Sequence, residues 1–158
     1  AIVEESDSIQ IPGNLNLSQE QRQRRYDEIY RPFEQAISEV IDLSILRARS
    51  PAIVSIHSFT PLFKGQRRDL DLGVLHDRDT RLADQILALT QSSQEYSVRR
   101  NEPYAPRDGV THTLVTHGIN RGLDNVMLEI RNDLINHDAG QMVWAGRLAT
   151  LITEALDK

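Results

Sequence analysis

The sequence contains no cysteine, and aromatic residues make up only 5% of its 158 positions. Without cysteine there is no disulfide framework, no thiolate nucleophile and no cysteine-ligated zinc, so a metal here needs histidine and carboxylate ligands. No apolar run approaches the ~20 residues of a membrane span and no signal-peptide pattern is visible, so no membrane partner and a cytoplasmic location are expected. A glycine-rich phosphate loop, a Gly-x-Ser-x-Gly elbow and a His-Glu-x-x-His pair are missing as well. Lys and Arg number 18 against 23 Asp and Glu, for a formal net charge of −5. The basic residues are scattered apart from Arg22, Arg24 and Arg25, which argues against a nucleic-acid surface.

What remains is an ordinary globular composition, 39% hydrophobic and 26% charged, long enough for a single domain over residues 1–158 with a real core. Residues 1–17 read as a surface lead-in. Ser18 and Gln21 form a capping-box signature. Tyr26, Ile29, Tyr30, Phe33, Ile37, Val40 and Ile41 then recur at helical spacing to about Arg47, and Pro32 predicts a kink or two abutting helices there. Ala52 to His57 reads as a buried strand and Ser58 to Arg68 as a loop. Leu70, Leu72 and Val74 alternate with Asp69, Asp71 and Gly73, the pattern of a strand with one polar face.

Asp77 or Asp79 is a candidate cap for a helix carrying Leu82, Ile86 and Leu89 to about Ser92, and Tyr96 to Val98 for a short strand. The stretch Asn101–Gly109 is a loop of turn formers. Thr111 to Arg121 reads as helix, with Thr111 as N-cap and Gly122 at the C-terminal stop. Asn125 to Arg131 is a second apolar strand, and the last helix, from about Ala139 to Leu156, is expected to bury Met142, Ala145, Leu148, Ala149 and Ile152. Strands alternating with helices point to an α/β class, a three-layer α/β/α domain with a mixed sheet.

The chemistry gathers at two strand ends. His57 closes the first apolar strand beside Ser58 and Thr60, and it is either a ligand or a core histidine bonded to backbone. Glu129 interrupts Val126–Ile130, where an unpaired carboxylate is costly to bury, so it needs either a function or an ion pair with Arg131 or another arginine. In a strand Glu129 and Arg131 share a face. If the two strands are neighbours, His57, Glu129 and Arg131 converge where α/β sheets bind ligands. Arg67, Arg68 and Arg131 can each grip a carboxylate. Of the five histidines, His76, His112, His117 and His137 read as structural, and Trp144 and Tyr26 as core.

The segments Ser55–Pro61, Asn101-Glu102-Pro103-Tyr104 and Glu129–Ile135, with Gly73-Val74-Leu75 and His117-Gly118 between them and Gly140-Gln141-x-x-Trp144-Ala145 after, resemble the N-formylglutamate amidohydrolase family. The resemblance implies a zinc-dependent exopeptidase-like fold. It implies His57 as a zinc ligand and Glu129 as the base on a zinc-bound water. Arg68, Arg131, Asn101 and Glu102 are implied as substrate-binding residues, and a small N-acyl amino acid, typically N-formyl-L-glutamate, as the substrate. At the family's Arg-Pro-Trp, this chain has Arg68-Asp69-Leu70. Members of the family extend upstream of the point matching Ala1, into a His-Ala-Ser motif that is the expected source of the other zinc ligands. The chain then reads as the carboxyl-terminal portion of such an enzyme. The alternatives are a non-catalytic small-molecule-binding relative, or a related zinc carboxypeptidase or deacylase.

Overall fold

The computed structural model describes residues 2–6, 9–91 and 95–157. Two compact units divide the chain, 1–50 and 51–158. In the first unit, β1 (Glu5–Ser6) pairs antiparallel with β2 (Ile9–Gln10), and a short 3₁₀ turn spans Pro12–Asn14. Ser18 caps α1 (Gln19–Arg25) with the expected capping box, its Oγ accepting from the Gln21 N–H while the Gln21 side chain accepts from the Ser18 N–H. A π-helical turn, Tyr26–Tyr30, then leads into α2 (Arg31–Leu46). Helical backbone runs on through that turn, so the kink or pair of abutting helices expected at Pro32 takes the form of a π-bulge just before the proline.

The apolar face predicted for this helix is not buried as expected. Ile41 is the only buried residue of α2, while Ile29 is 68% exposed and Phe33 59%. The reason lies in the unit itself: helical spacing gives a stripe, but a two-residue hairpin and one helical rod supply no second layer to cover it.

The second unit is organised on a mixed four-stranded sheet in the order β3-β8-β6-β7. Its strands are β3 (Ile53–Phe59), β6 (Leu72–Leu75), β7 (Val98–Arg100) and β8 (Asn125–Arg131). β4 (Leu62–Phe63) and β5 (Gln66–Arg67) form a small hairpin inside the segment read as loop. β3 runs parallel to β8, β6 antiparallel to β8, and β7 parallel to β6. The class is α/β with a mixed sheet.

One sheet face packs on α3 (Arg81–Thr90) and α4 (Asp138–Leu156). Leu72, Val74, Val126, Leu128 and Ile130 meet Leu82, Ile86, Trp144, Leu148 and Leu151 there. Each such side chain contributes about 1.5–3 kcal/mol on burial. The other face carries a smaller cluster of Leu75, Leu114 and Met127, flanked by Ile53, Tyr104 and Val110. Leu114 belongs to a π-helical turn, Leu114–Gly118, followed by a 3₁₀ turn, Ile119–Arg121. Residues 112–121 are thus helical and stop at Gly122 with φ 68°, while Thr111, expected as the N-cap, instead donates its hydroxyl to Asp77 at 2.6 Å. No helix among the described residues is long and apolar enough to cross a membrane.

Other expectations need correction. β3 is an edge strand with Ile56, His57 and Ser58 exposed, not a buried one, and Tyr26, read as core, is 46% exposed. β6 has no polar face: all four of its residues are buried, because it lies between β8 and β7 with cover on both sides. In α4 the buried positions are Trp144, Leu148, Leu151 and Ala155, while Met142 is 74% exposed. That helix has apolar residues around most of its girth, so the bulky Trp144, rather than the small Ala145 and Ala149, sets which side faces the sheet. The residue before α3 is Thr80, without a side-chain cap. Asp79 still accepts from the Arg81 N–H, and Ser92 lies outside the described residues.

Candidate active site

β3 and β8 are neighbours, and His57 is the register partner of Glu129. Directly opposed residues of adjacent strands project to the same face, with strands about 4.8 Å apart. On the other side of β8, Gly73 is the partner of Glu129. His57, Glu129 and Gly73 thus form a row across the sheet, near the carboxyl ends of the parallel pair β3 and β8, which is where open α/β sheets take ligands.

Glu129 is only 4% exposed, and its Oε2 is buried without a hydrogen-bond partner among the described residues. Burial drives its carboxyl up to about 7, with the positive charge of Arg68 pulling modestly the other way. Ser55 Oγ and Asn125 Oδ1, on the same face of the sheet, are also buried and unpartnered. Orphaned buried polar atoms are rare in native proteins, so each of the three needs an explanation. His57, at the open edge strand, is exposed.

Arg68 is the cation of this site. Its guanidinium lies 4.3 Å from the ring centroid of Phe63, 5.1 Å from Tyr104 and 5.8 Å from Phe59. It also donates long hydrogen bonds to the Tyr104 hydroxyl at 3.4 Å and to Thr60. Among the described residues it has no carboxylate partner within ion-pair distance. The sequence singled out Arg68 but not its cage, although Phe59, Phe63 and Tyr104 are three of the chain's seven Phe and Tyr residues. That concentration is the available signal.

Arg131 is placed differently. It pairs with Asp71 at 2.8 Å and Asp133 at 2.7 Å and donates to the Leu70 carbonyl at 3.3 Å. Those partners occupy its donors and tie the ends of β8 and β6 together. Asn101 accepts from the His76 N–H at 2.9 Å, and Glu102 pairs at 3.4 Å with Arg99 on the surface. The structure therefore brings together His57, Glu129 and, electrostatically, Arg68. It does not bring the side chains of Arg131, Asn101 and Glu102 into that group.

The backbone of Glu102 does reach the row. A Cβ built on Gly73 would lie 2.0 Å from the Glu102 carbonyl oxygen, so the Asn101–Tyr104 loop rests directly on the sheet beside Glu129. The segments holding this arrangement are those whose sequence profile is that of N-formylglutamate amidohydrolase, matched over residues 1–136. The chain belongs to the N-formylglutamate amidohydrolase family.

Two solved structures resemble this member of the family. One is the gene product Atu2144 from Agrobacterium tumefaciens, 44% identical with a TM-score of 0.94, where the match covers 98% of this chain and 61% of that one. The other is N-formylglutamate amidohydrolase from Ralstonia eutropha JMP134, 21% identical with a TM-score of 0.57, covering 87% of this chain and 52% of that one. The second likeness is one of fold. The chain spans less than two thirds of the length of either protein. No curated protein matches it.

Proposed function

We propose that this chain carries the base and the carboxylate anchor of an amidohydrolase acting on a small N-acyl amino acid, N-formyl-L-glutamate in the first instance. The observation behind this reading is the buried carboxyl of Glu129, whose Oε2 has no hydrogen-bond partner among the described residues, pushed up to about 7 in a row with His57 and Gly73. A group with that pKa takes a proton from water and gives it back at neutral pH. The water oxygen bonds to the formyl carbon, the C–N bond breaks, and the proton held by Glu129 passes to the departing amine nitrogen. Formate and L-glutamate result.

Arg68 is the proposed anchor for a substrate carboxylate. Among the described residues its charge has no carboxylate partner and its plane is held by aromatic rings, which leaves Nε and Nη2 for a carboxylate while Nη1 makes long bonds to Thr60 and Tyr104. In this reading Arg131, Asn101 and Glu102 serve by holding the walls: Arg131 through Asp71 and Asp133, and the loop residues through His76 and Gly73.

Zinc and an exopeptidase-like layering belong to the same proposal, with His57 as the ligand. A catalytic zinc has three protein ligands and an open position, and the described residues contain no group of three histidines and carboxylates able to hold a metal. They do not fit a complete zinc site, and no step above passes through one. That observation favours a second reading, a small-molecule-binding relative that keeps Arg68 and its cage without turnover.

The test is hydrolysis of a panel of N-acyl amino acids, with and without added zinc, by the chain and by Glu129→Gln. We expect N-formyl-L-glutamate to be preferred and the variant to lose at least about 100-fold in rate while still binding glutamate. Near-normal turnover in Glu129→Gln overturns the base assignment. Glutamate binding without turnover in the parent chain supports the second reading.

A further inference from the structure

At the end of β6, His76 is 8% exposed and has a partner on each ring nitrogen. Arg100 Nη1 lies 2.9 Å from Nε2, and the Asp77 carbonyl oxygen lies 2.6 Å from Nδ1. A guanidinium only donates, so Nε2 accepts and the ring proton sits on Nδ1, donating to Asp77. The tautomer follows from the partners. Arg100 is in turn held by Asp84 at 2.6 Å, and Asp84 accepts from Thr80 Oγ1 at 2.7 Å.

This network grips the loop at its first residue. Asn101 sits at φ 50°, its N–H donates to the Val74 carbonyl at 3.0 Å, its Oδ1 accepts from the backbone N–H of His76, and its Nδ2 lies 3.5 Å from the ring Nε2 of His76. From there Glu102 places its carbonyl on Gly73, and Tyr104 reaches the Arg68 guanidinium. A continuous chain of contacts runs from the His76 ring to the cation of the site.

We infer that His76 is a positioning residue, whose neutral ring fixes the Asn101–Tyr104 loop and thereby the place of the Arg68 guanidinium. The inference rests on Arg68 being the anchor described above, but its test needs no substrate. A guanidinium held over Phe63 and Tyr104 feels their ring currents, so its Nε–Hε resonance is displaced upfield in the 158-residue chain.

In His76→Phe, which keeps the ring's bulk but neither nitrogen, that displacement is lost while the core remains folded. In His76→Gln, whose Oε1 can accept from Arg100, it is retained. An unchanged resonance in folded His76→Phe overturns the inference, as does a loss in His76→Gln. Should His76→Phe not fold, Asn101→Gly reads the same signal. Glycine accepts the left-handed backbone but removes the tie to His76, and an unchanged resonance there overturns the inference too. Absence of turnover in the parent chain would count against the amidohydrolase reading alone and leave this result standing.

Discussion

Gly73 lies beside Glu129 in the sheet, and the missing side chain of the one makes room for the loop that flanks the other. Any β-carbon at this position meets a backbone oxygen, which cannot swing aside as a side chain can. Gly73→Ala is expected to destabilise the second unit by about 2–3 kcal/mol and to lift the Asn101–Tyr104 loop. Urea denaturation checks this: an unchanged midpoint would mean that the loop does not rest on the sheet.

Glu129 carries a pH signature. Its carboxyl titrates near 7 in the folded chain and near 4.5 when unfolded, so between those values the native state holds more protons than the unfolded one. This group's contribution therefore falls as pH rises from about 4.5 through 7, by on the order of 1–3 kcal/mol. Glu129→Gln removes that slope and is expected to be as stable as the parent or more so at pH 8. Denaturation midpoints at pH 5 and pH 8 decide it, and a parallel pH dependence in both proteins would contradict the shift.

Arg68 lowers the Glu129 pKa but holds little of the fold. Arg68→Met is expected to cost at most about 1 kcal/mol and to raise the Glu129 pKa further, because a stabilising positive charge is gone. Carbon-detected titration of the Glu129 side chain reads this directly. A lower pKa in the variant would remove Arg68 from the site.

Arg131 should behave in the opposite way. Truncation removes the donor to Asp71 Oδ1 and to the Leu70 carbonyl, while Ser97 still donates to Asp71 Oδ2, so Arg131→Ala is expected to cost about 1–3 kcal/mol. The more exposed Asp133 partner accounts for little of that, and Asp133→Asn should cost under about 1 kcal/mol. Equal losses in the two variants would show that the outer pair matters as much as the inner one.

Much of this was legible in the sequence. The limits of β8 follow from Asn125 and Arg131 bracketing an apolar run, and the convergence of His57 with Glu129 follows once the two strands pair. The capping box at Ser18 and the stop at Gly122 are local signals, readable because the residues that satisfy the backbone are a few positions away. What failed depended on distance. Asp71 and Arg131 meet across some sixty positions, and nothing near either one announces the pair. The buried side of α4 does not follow from periodicity, which counts apolar residues equally, whereas packing favours the largest, Trp144. The two π-helical turns each add a residue to a helical turn in a way that spacing cannot foresee.

The pairing of β3 with β8 also bears on how the chain acquires its shape. Ile53 is joined to Asn125 and Phe59 to Arg131, a closure of about seventy residues that yields no reward until its ends meet. During synthesis the strand bearing His57 is made well before the strand bearing Glu129, and it waits with an open edge. The local helices can form early, but the row of His57, Glu129 and Gly73 cannot. The candidate site is thus a late product of folding, and variants that slow β3–β8 closure should leave a species with helices formed and no row.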